Sequence, residues 1–271
     1  MKDVEQIAFT TYENDGIYHI QCSGFVPGPG HVYATLIVGE EKAFLFDTGF
    51  GDDDLADFVK SKTGKELITV LSHVHFDHAG GVLNFSDVWI PESEQKELLA
   101  LFPETSYDPG TRTLGSTRLH FLKGDEVFDL GGRTVSLIPT PGHTRGSLCA
   151  YDSRTKLLLS GDTLSRRVFL FTAHPAIPLS VYRDGLVRLL QLDFEEFLPG
   201  HDCVPNPRSW FDRMIGMVDS FTPDKGKAYE RPDLAALGGN LKLYVVGRGF
   251  GDPDYCGFAY SEDDLPVLLQ K

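Results

Sequence analysis

The sequence predicts an α/β fold, and three observations carry that expectation. The chain has 271 residues, enough for one large α/β domain or two small ones. Short apolar runs bounded by turn residues are interspersed with stretches whose apolar positions recur at helical spacing. Twenty-eight glycines and sixteen prolines suit many turns between short elements rather than long helices. No short repeat, low-complexity tract or long linker divides the chain, so residues 1–271 read as a single domain.

The elements follow in order. "GIYHIQCSGF" is strand-like, and "PGPGH" at residues 27–31 is a loop. "VYATLIVG" and "KAFLFDTG" form a hairpin joined through "EEK". "DDDLADFVKSKTG" carries Leu55, Phe58 and Val59 at helical spacing, with an acidic start and Gly64 as its stop. "ELITVLSH" is a mostly apolar strand of the kind buried on both faces. "PESEQKELLALF" is a helix with Pro91 in its first turn. "RLHFLKGDEVFDLGGRTVSLIPTPGH" and "SLCAYDSRTKLLLSGD" read as hairpins and strands. "LSVYRDGLVRLLQL" is an amphipathic helix, and "FEEFLPGH" is a strand ending in a turn. The tail, residues 207–271, begins with a helix in "RSWFDRMIGMVDSF" and ends with two strands, "KLYVVGRG" and "CGFAYSE".

Composition narrows the function classes. The net charge is −14. Nucleic-acid binding relies on Lys and Arg neutralising phosphates, so a nucleic-acid partner is not expected. Cys22, Cys149, Cys203 and Cys256 are scattered without a CxxC pair, which argues against a disulfide framework. The opening "MKDVEQIAFTTYENDG" lacks the apolar core of a secretory signal, and no apolar run reaches membrane-span length. The expectation is a cytoplasmic protein with a small-molecule substrate and no membrane partner.

The chemistry concentrates in "LSHVHFDHAGG", residues 71–81. His73 and His75 sit two apart and can point the same way in an extended segment. Asp77 and His78 follow where Gly80 and Gly81 let the backbone turn. Imidazole nitrogen and carboxylate oxygen are both ligands for zinc. Three more candidates follow, each after a small residue that permits close approach: His143 in "TPGH", Asp162 in "SGD" and His201 in "PGH". All sit where a strand ends, which is where a sheet scaffold places a site.

In these motifs the chain resembles the metallo-β-lactamase superfamily. The carriers are the HxHxDH segment His73-Val-His75-Phe-Asp77-His78, "PGHTRGS" with His143, "SGDT" with Asp162, "LPGH" with His201, and "FDTG" at residues 46–49. The resemblance spans roughly residues 18–205, and residues 206–271 lie beyond its motifs. It implies a four-layer αββα sandwich with the site at one edge. It assigns His73, His75 and His143 to a first divalent metal ion and Asp77, His78 and His201 to a second, with Asp162 bridging. Zinc is the favoured metal, with iron or manganese as alternatives. Asp47 is expected to orient a ligand histidine or the loop that carries it.

The implied activity is hydrolysis of a small-molecule ester, thioester or lactone by a metal-bound hydroxide, with Asp77 orienting the water or shuttling its proton. The alternative is an oxidoreductase similar to the mononuclear iron sulfur dioxygenases. Best-known β-lactamases carry Cys where this chain has Asp162, which argues against antibiotic hydrolysis. Flavodiiron oxygen reductases carry Glu where this chain has His75. Glyoxalase II has a helical C-terminal domain, and this tail reads as part helix and part strand. A non-enzymatic relative would commonly have lost ligands, and all seven are here.

Other residues are weaker candidates. Phe25 and Phe50 are offered as apolar walls. Arg145, Arg166 and Arg167 follow ligand-bearing turns and suit a substrate carboxylate, at most one of them in that role. Tyr182 and Arg183 start a helix, and Cys203 reads as structural. Two expectations stand for the tail: a lid over the pocket, or a subunit contact of a homodimer.

Overall fold

The computed structural model describes residues 9–22, 31–51, 54–231, 233–234, 239–249, 252 and 254–270. The loop 23–30, and with it Phe25, lies outside the described residues.

The first half of the chain builds one large sheet. Its strands are β1 (Phe9–Asn14), β2 (Ile17–Cys22), β3 (Val32–Val38), β4 (Lys42–Phe46), β5 (Glu66–Val70), β6 (Asp87–Pro91), β7 (Tyr107–Asp108), β8 (Thr113–Leu114) and β9 (Thr117–Leu122). They lie in the order β1-β2-β3-β4-β5-β6-β9-β8-β7. The hairpin expected through "EEK" is β3 and β4, antiparallel. Beyond it β4, β5, β6 and β9 run parallel, which explains the nearly continuous apolar reading of β5.

The second sheet is β10 (Val127–Asp129), β11 (Thr134–Pro139), β12 (Leu148–Asp152) and β13 (Leu158–Gly161), then, after a short strand β14 (Arg167–Phe169) that joins another sheet, β15 (Glu196–Pro199) and β16 (Asn206–Pro207). A third sheet orders β14-β19-β18-β17, with β17 (Lys227–Ala228), β18 (Leu241–Val246) and β19 (Cys256–Ser261) from the tail. β19 pairs in parallel with β14, which ties the tail to a strand that follows Asp162 by five residues.

Side-chain alternation along the strands sets the layers. In β4, Phe44 and Phe46 face the second sheet with Ile68, Val70, Leu137, Ala150, Leu159 and Leu198. Ala43 and Leu45 face the other way, onto helices α1 (Leu55–Lys62) and α3 (Gln95–Leu101). In the second sheet Cys149, Leu158 and Phe197 point outward onto α4 (Leu179–Leu189) and α5 (Ser209–Asp219). The result is helix, sheet, sheet, helix, the αββα sandwich. Two short helices complete the chain, α2 (Phe76–Ala79) after β5 and α6 (Leu265–Leu268) near the end.

One helix starts later than its sequence suggests. Pro91 is the last residue of β6, a 3-10 turn covers Glu92–Glu94, and only then does α3 begin. The reason is Glu94, whose buried carboxylate is used elsewhere. No disulfide forms among the described residues; Cys22, Cys149 and Cys256 are buried and Cys203 is exposed. No helix among the described residues is long and apolar enough to cross a membrane.

Candidate metal centre

Strand direction brings the candidates together. β4 and β5 run parallel, so Asp47 and the 73–78 segment emerge at one edge of the first sheet. β12 is antiparallel to both β11 and β13, and β15 is parallel to β13. Hence β11, β13 and β15 share one direction, and their C-terminal ends deliver His143, Asp162 and His201 to the same edge of the second sheet.

Three imidazoles converge first. His75 Nδ1 lies 3.0 Å from His73 Nε2 and 3.0 Å from His143 Nε2. His143 Nδ1 donates to the carbonyl of Phe169 at 2.8 Å, which leaves its Nε2 as a bare lone pair facing the other two rings. A second group forms around His78. Its Nδ1 donates to Asp47 Oδ2 at 2.9 Å, and its Nε2 lies 3.3 Å from His201 Nε2 and 3.8 Å from Asp77 Oδ2. His201 Nδ1 donates to the carbonyl of His31 at 3.1 Å, and its Nε2 is 3.4 Å from Asp77 Oδ2.

Asp162 faces both groups. Its Oδ2 is 3.4 Å from His143 Nε2 and 3.2 Å from His201 Nε2, and its Oδ1 is 3.4 Å from His78 Nε2. Oδ1 is buried and has no hydrogen-bond partner. An orphaned buried carboxylate oxygen beside inward-turned imidazole lone pairs is costly unless a cation satisfies them together. The donor set therefore fits divalent metal. Ligand atoms of His73, His75 and His143, of His73, His78 and Asp162, and of Asp77, His78 and His201 each lie within 4.8 Å of one another.

The electrostatics divide the same way. Burial holds His73 well below its ordinary pKa, with repulsion from His78, His75 and His143 adding to it. Burial and the neighbouring His143 push His75 down to about 3, and burial lowers His143. These three rings are neutral, the state in which imidazole binds metal. At the other group burial opposes charge, but Asp162, Asp77 and Asp47 outweigh it and raise His78 to about 10. Burial likewise opposes charge on His201, and Asp162 and Asp77 raise it. Positive charge is thus favoured where the carboxylates gather, and a metal ion competes with protons for those same nitrogens.

Supporting residues fix the candidate ligands. Asp47 is buried at φ +70, Oδ1 accepting from Ser72 N at 2.7 Å and Oδ2 from Ser72 Oγ at 2.8 Å as well as from His78. Ser72 Oγ in turn lies 2.9 Å from His73 Nδ1. Asp47 therefore steers one histidine directly and another through a serine. Glu94 accepts from Val74 N at 2.5 Å and Gly146 N at 2.7 Å, clamping the 73–78 segment to the turn that follows His143. Burial raises the Glu94 carboxyl against these donors, which pull it down. Ser72 and Glu94 were not among the sequence candidates: Ser72 lies within "LSHVHFDHAGG" but a serine hydroxyl is not among the usual zinc donors, and Glu94 lies outside every ligand-bearing motif. The glycines before the ligands do sit close: a Cβ on Gly200 would lie 2.7 Å from Asp162 Oδ1 and 2.7 Å from His78 Cε1.

The remaining candidates separate. Tyr182 is buried and donates to the carbonyl of Thr163 at 2.8 Å, bracing the turn behind Asp162. Arg183 pairs with Asp219, linking α4 to α5. Arg145 is exposed and donates to the carbonyl of Pro175 at 3.3 Å. Arg166 lies over the ring of Trp210. Phe50 is half-buried and meets Phe76 edge-on with centroids 5.7 Å apart. Phe76, flanked by His75 and Asp77, is 59% exposed.

The model of the metallo-beta-lactamase superfamily matches residues 27–201. An acyl-coenzyme A thioesterase, MBLAC2 of Homo sapiens, is 30% identical over 220 residues, 69% of this chain and 78% of that protein. A hydroxyacylglutathione hydrolase of Francisella philomiragia is 26% identical over 215 residues, 79% of this chain and 77% of that protein. Among solved structures, a metallo-beta-lactamase from Pontibacter korlensis superposes with a TM-score of 0.61 at 17% identity, covering 79% of this chain and 100% of that one, a likeness of fold. The chain belongs to the metallo-beta-lactamase superfamily and is an enzyme of its metallo-hydrolase kind.

Proposed function

We propose that the chain is a dinuclear metal-dependent hydrolase that cleaves acyl thioesters of small-molecule thiols. What supports the reading is the convergence of seven ligand-type side chains at one sheet edge, with the orphaned Asp162 carboxylate facing both groups. His73, His75 and His143 would hold one ion and Asp77, His78 and His201 the other, with Asp162 shared. Zinc suits a donor set of imidazole and carboxylate. When bound, such a pair supplies Lewis acidity and makes water nucleophilic near neutral pH.

The protein's own groups do the rest. Asp77 is half-buried, so its carboxylate is open to solvent on one side. It orients the attacking water and takes up its proton. Asp47 holds the His78 ring in place, and the Phe169 carbonyl does the same for His143. Thioester is favoured over ester or lactone because the two relatives are named for acyl-coenzyme A and hydroxyacylglutathione, compounds in which a thiol carries the acyl group.

Elemental analysis of protein purified without added metal tests the centre. About two ions per chain are expected, together with thiol release from acyl thioesters. His75→Ala should empty mainly the first position and His78→Ala mainly the second. Unchanged metal content in both variants would sink the assignment. One iron per chain with oxygen consumption would replace the hydrolase by the sulfur dioxygenase-like reading.

A further inference from the structure

The geometry points to Glu94 as the positioning residue of the three-histidine half of the centre: its buried carboxylate locks the two backbone arms that carry His73, His75 and His143 into one register. The inference rests on the metal assignment proposed above and concerns what holds one position of that pair in shape.

The first observation is where Glu94 stands. β6 runs parallel to β5, so the chain leaves it at the same edge that carries the ligands. The 3-10 turn Glu92–Glu94 follows directly. Glu94 is buried there, while Glu92 and Ser93 beside it are exposed. A glutamate in that state needs partners that offset its lost hydration.

The second is what it bonds. Glu94 Oε2 accepts from Val74 N at 2.5 Å, and Oε1 accepts from Gly146 N at 2.7 Å. The Thr144 side chain adds a third hydrogen bond. Val74 lies between His73 and His75, and Thr144 follows His143. One carboxylate therefore spans both arms, through backbone groups and a threonine rather than through the imidazoles. Val74 and Gly146 are buried, so neither N–H has water as a substitute partner.

The third is the fit around it. A Cβ on Gly146 would lie 2.7 Å from Pro91 Cβ and 2.8 Å from Glu94 Cδ, so a side chain there would drive the carboxylate from its place. A second tie between the arms, from Leu148 N to the Ser72 carbonyl at 2.8 Å, joins them at their base. Glu94 joins them beside the ligands. The other histidines have separate anchors: Asp47 and Thr48 hold His78, and the His31 carbonyl holds His201. Loss of the Glu94 bonds therefore acts on one metal position and spares the other.

Zinc affinity of the full-length protein, measured by competition with a chromophoric chelator, tests this. The His78→Ala background leaves the three-histidine position, and His75→Ala leaves the other. Glu94→Gln keeps the shape but turns an amide donor toward one of the two backbone N–H groups, so one bond is lost. Added to His78→Ala, it should weaken zinc binding by about tenfold or more. Added to His75→Ala, it should change binding by less than about twofold. Gly146→Ala keeps the charge of Glu94 but displaces it, and should weaken the same position. Circular dichroism of the metal-free variants checks that the fold persists. Equal losses at both positions would mean a general structural role, and unchanged affinity of the three-histidine position in Glu94→Gln would mean no role; either overturns the inference. A loss in Glu94→Gln that Gly146→Ala does not reproduce would assign the effect to charge and overturn it too. A His78→Ala parent that binds no zinc would overturn the metal assignment itself, and the inference with it.

Discussion

Asp47 shows what one side chain contributes to the centre. A non-glycine residue at φ +70 costs about 1 kcal/mol, and aspartate tolerates this region better than most residues. The strain persists because the carboxylate makes three hydrogen bonds, to Ser72 N, Ser72 Oγ and His78 Nδ1. Removing such an outer partner commonly lowers metal affinity by about 10- to 100-fold. Asp47→Ala is therefore expected to lose metal at chelator concentrations that leave wild type loaded, with the circular-dichroism spectrum retained. Chelator titration followed by elemental analysis checks this, and wild-type-like retention would refute it. The "FDTG" motif marked Asp47 as an orienting residue. Ser72 and Glu94 escaped notice because what they contact, Asp47, Val74 and Gly146, lies 20 or more residues away in sequence.

At the scale of elements, the joint between β2, β3 and the His201 turn carries its own pH dependence. His19 on β2 is buried and stacked on Tyr33, with centroids 4.7 Å apart. Its ring nitrogens lie 2.8 Å from Thr35 Oγ1 and 2.8 Å from the carbonyl of Asp202. Burial, only partly offset by the bond to Asp202, lowers its pKa from 6.5 to about 4. The folded form thus holds a neutral ring, while the unfolded chain takes up a proton below pH 6.5. Stability from this residue falls as pH drops from 6.5 and levels off near 4, a loss of roughly 3 kcal/mol across the window. His19→Gln should flatten that part of the profile. Denaturant unfolding between pH 7 and pH 4 measures it, and parallel slopes for both proteins would show that His19 does not titrate this way. The β3–β4 hairpin was legible from its alternation and turn. The delayed start of α3 was not, because Glu94 is drawn inward by backbone donors outside its own segment.

Across the whole molecule, the tail and the sandwich share a core. Tyr244, Phe258 and Tyr260 of the third sheet pack in one cluster with Phe197 of the second sheet and Phe211 and Met214 of α5. Separating the tail would expose those rings, each worth a few kcal/mol of burial by the usual estimate of about 25 cal/mol per Å². One cooperative transition in scanning calorimetry is expected for the metal-free chain. Two resolved transitions would mean that the tail folds as a separate unit.

The sequence by itself supplied the seven candidate ligands and, through the resemblance that their motifs carry, the expected αββα layer order. Ligating side chains must be spelled out at strand ends, and strand alternation is written at a period of two. His73, His75, Asp77, His78, His143, Asp162 and His201 were all readable, since close-set histidines and pre-ligand glycines are local patterns. Tertiary structure alone decided how those seven face one another. It also turned Tyr182 into a brace, matched Arg183 to Asp219, and set Tyr229 beside Arg167. Such outcomes depend on contacts between segments tens of residues apart, and no local pattern encodes a distance between strands that meet only after folding.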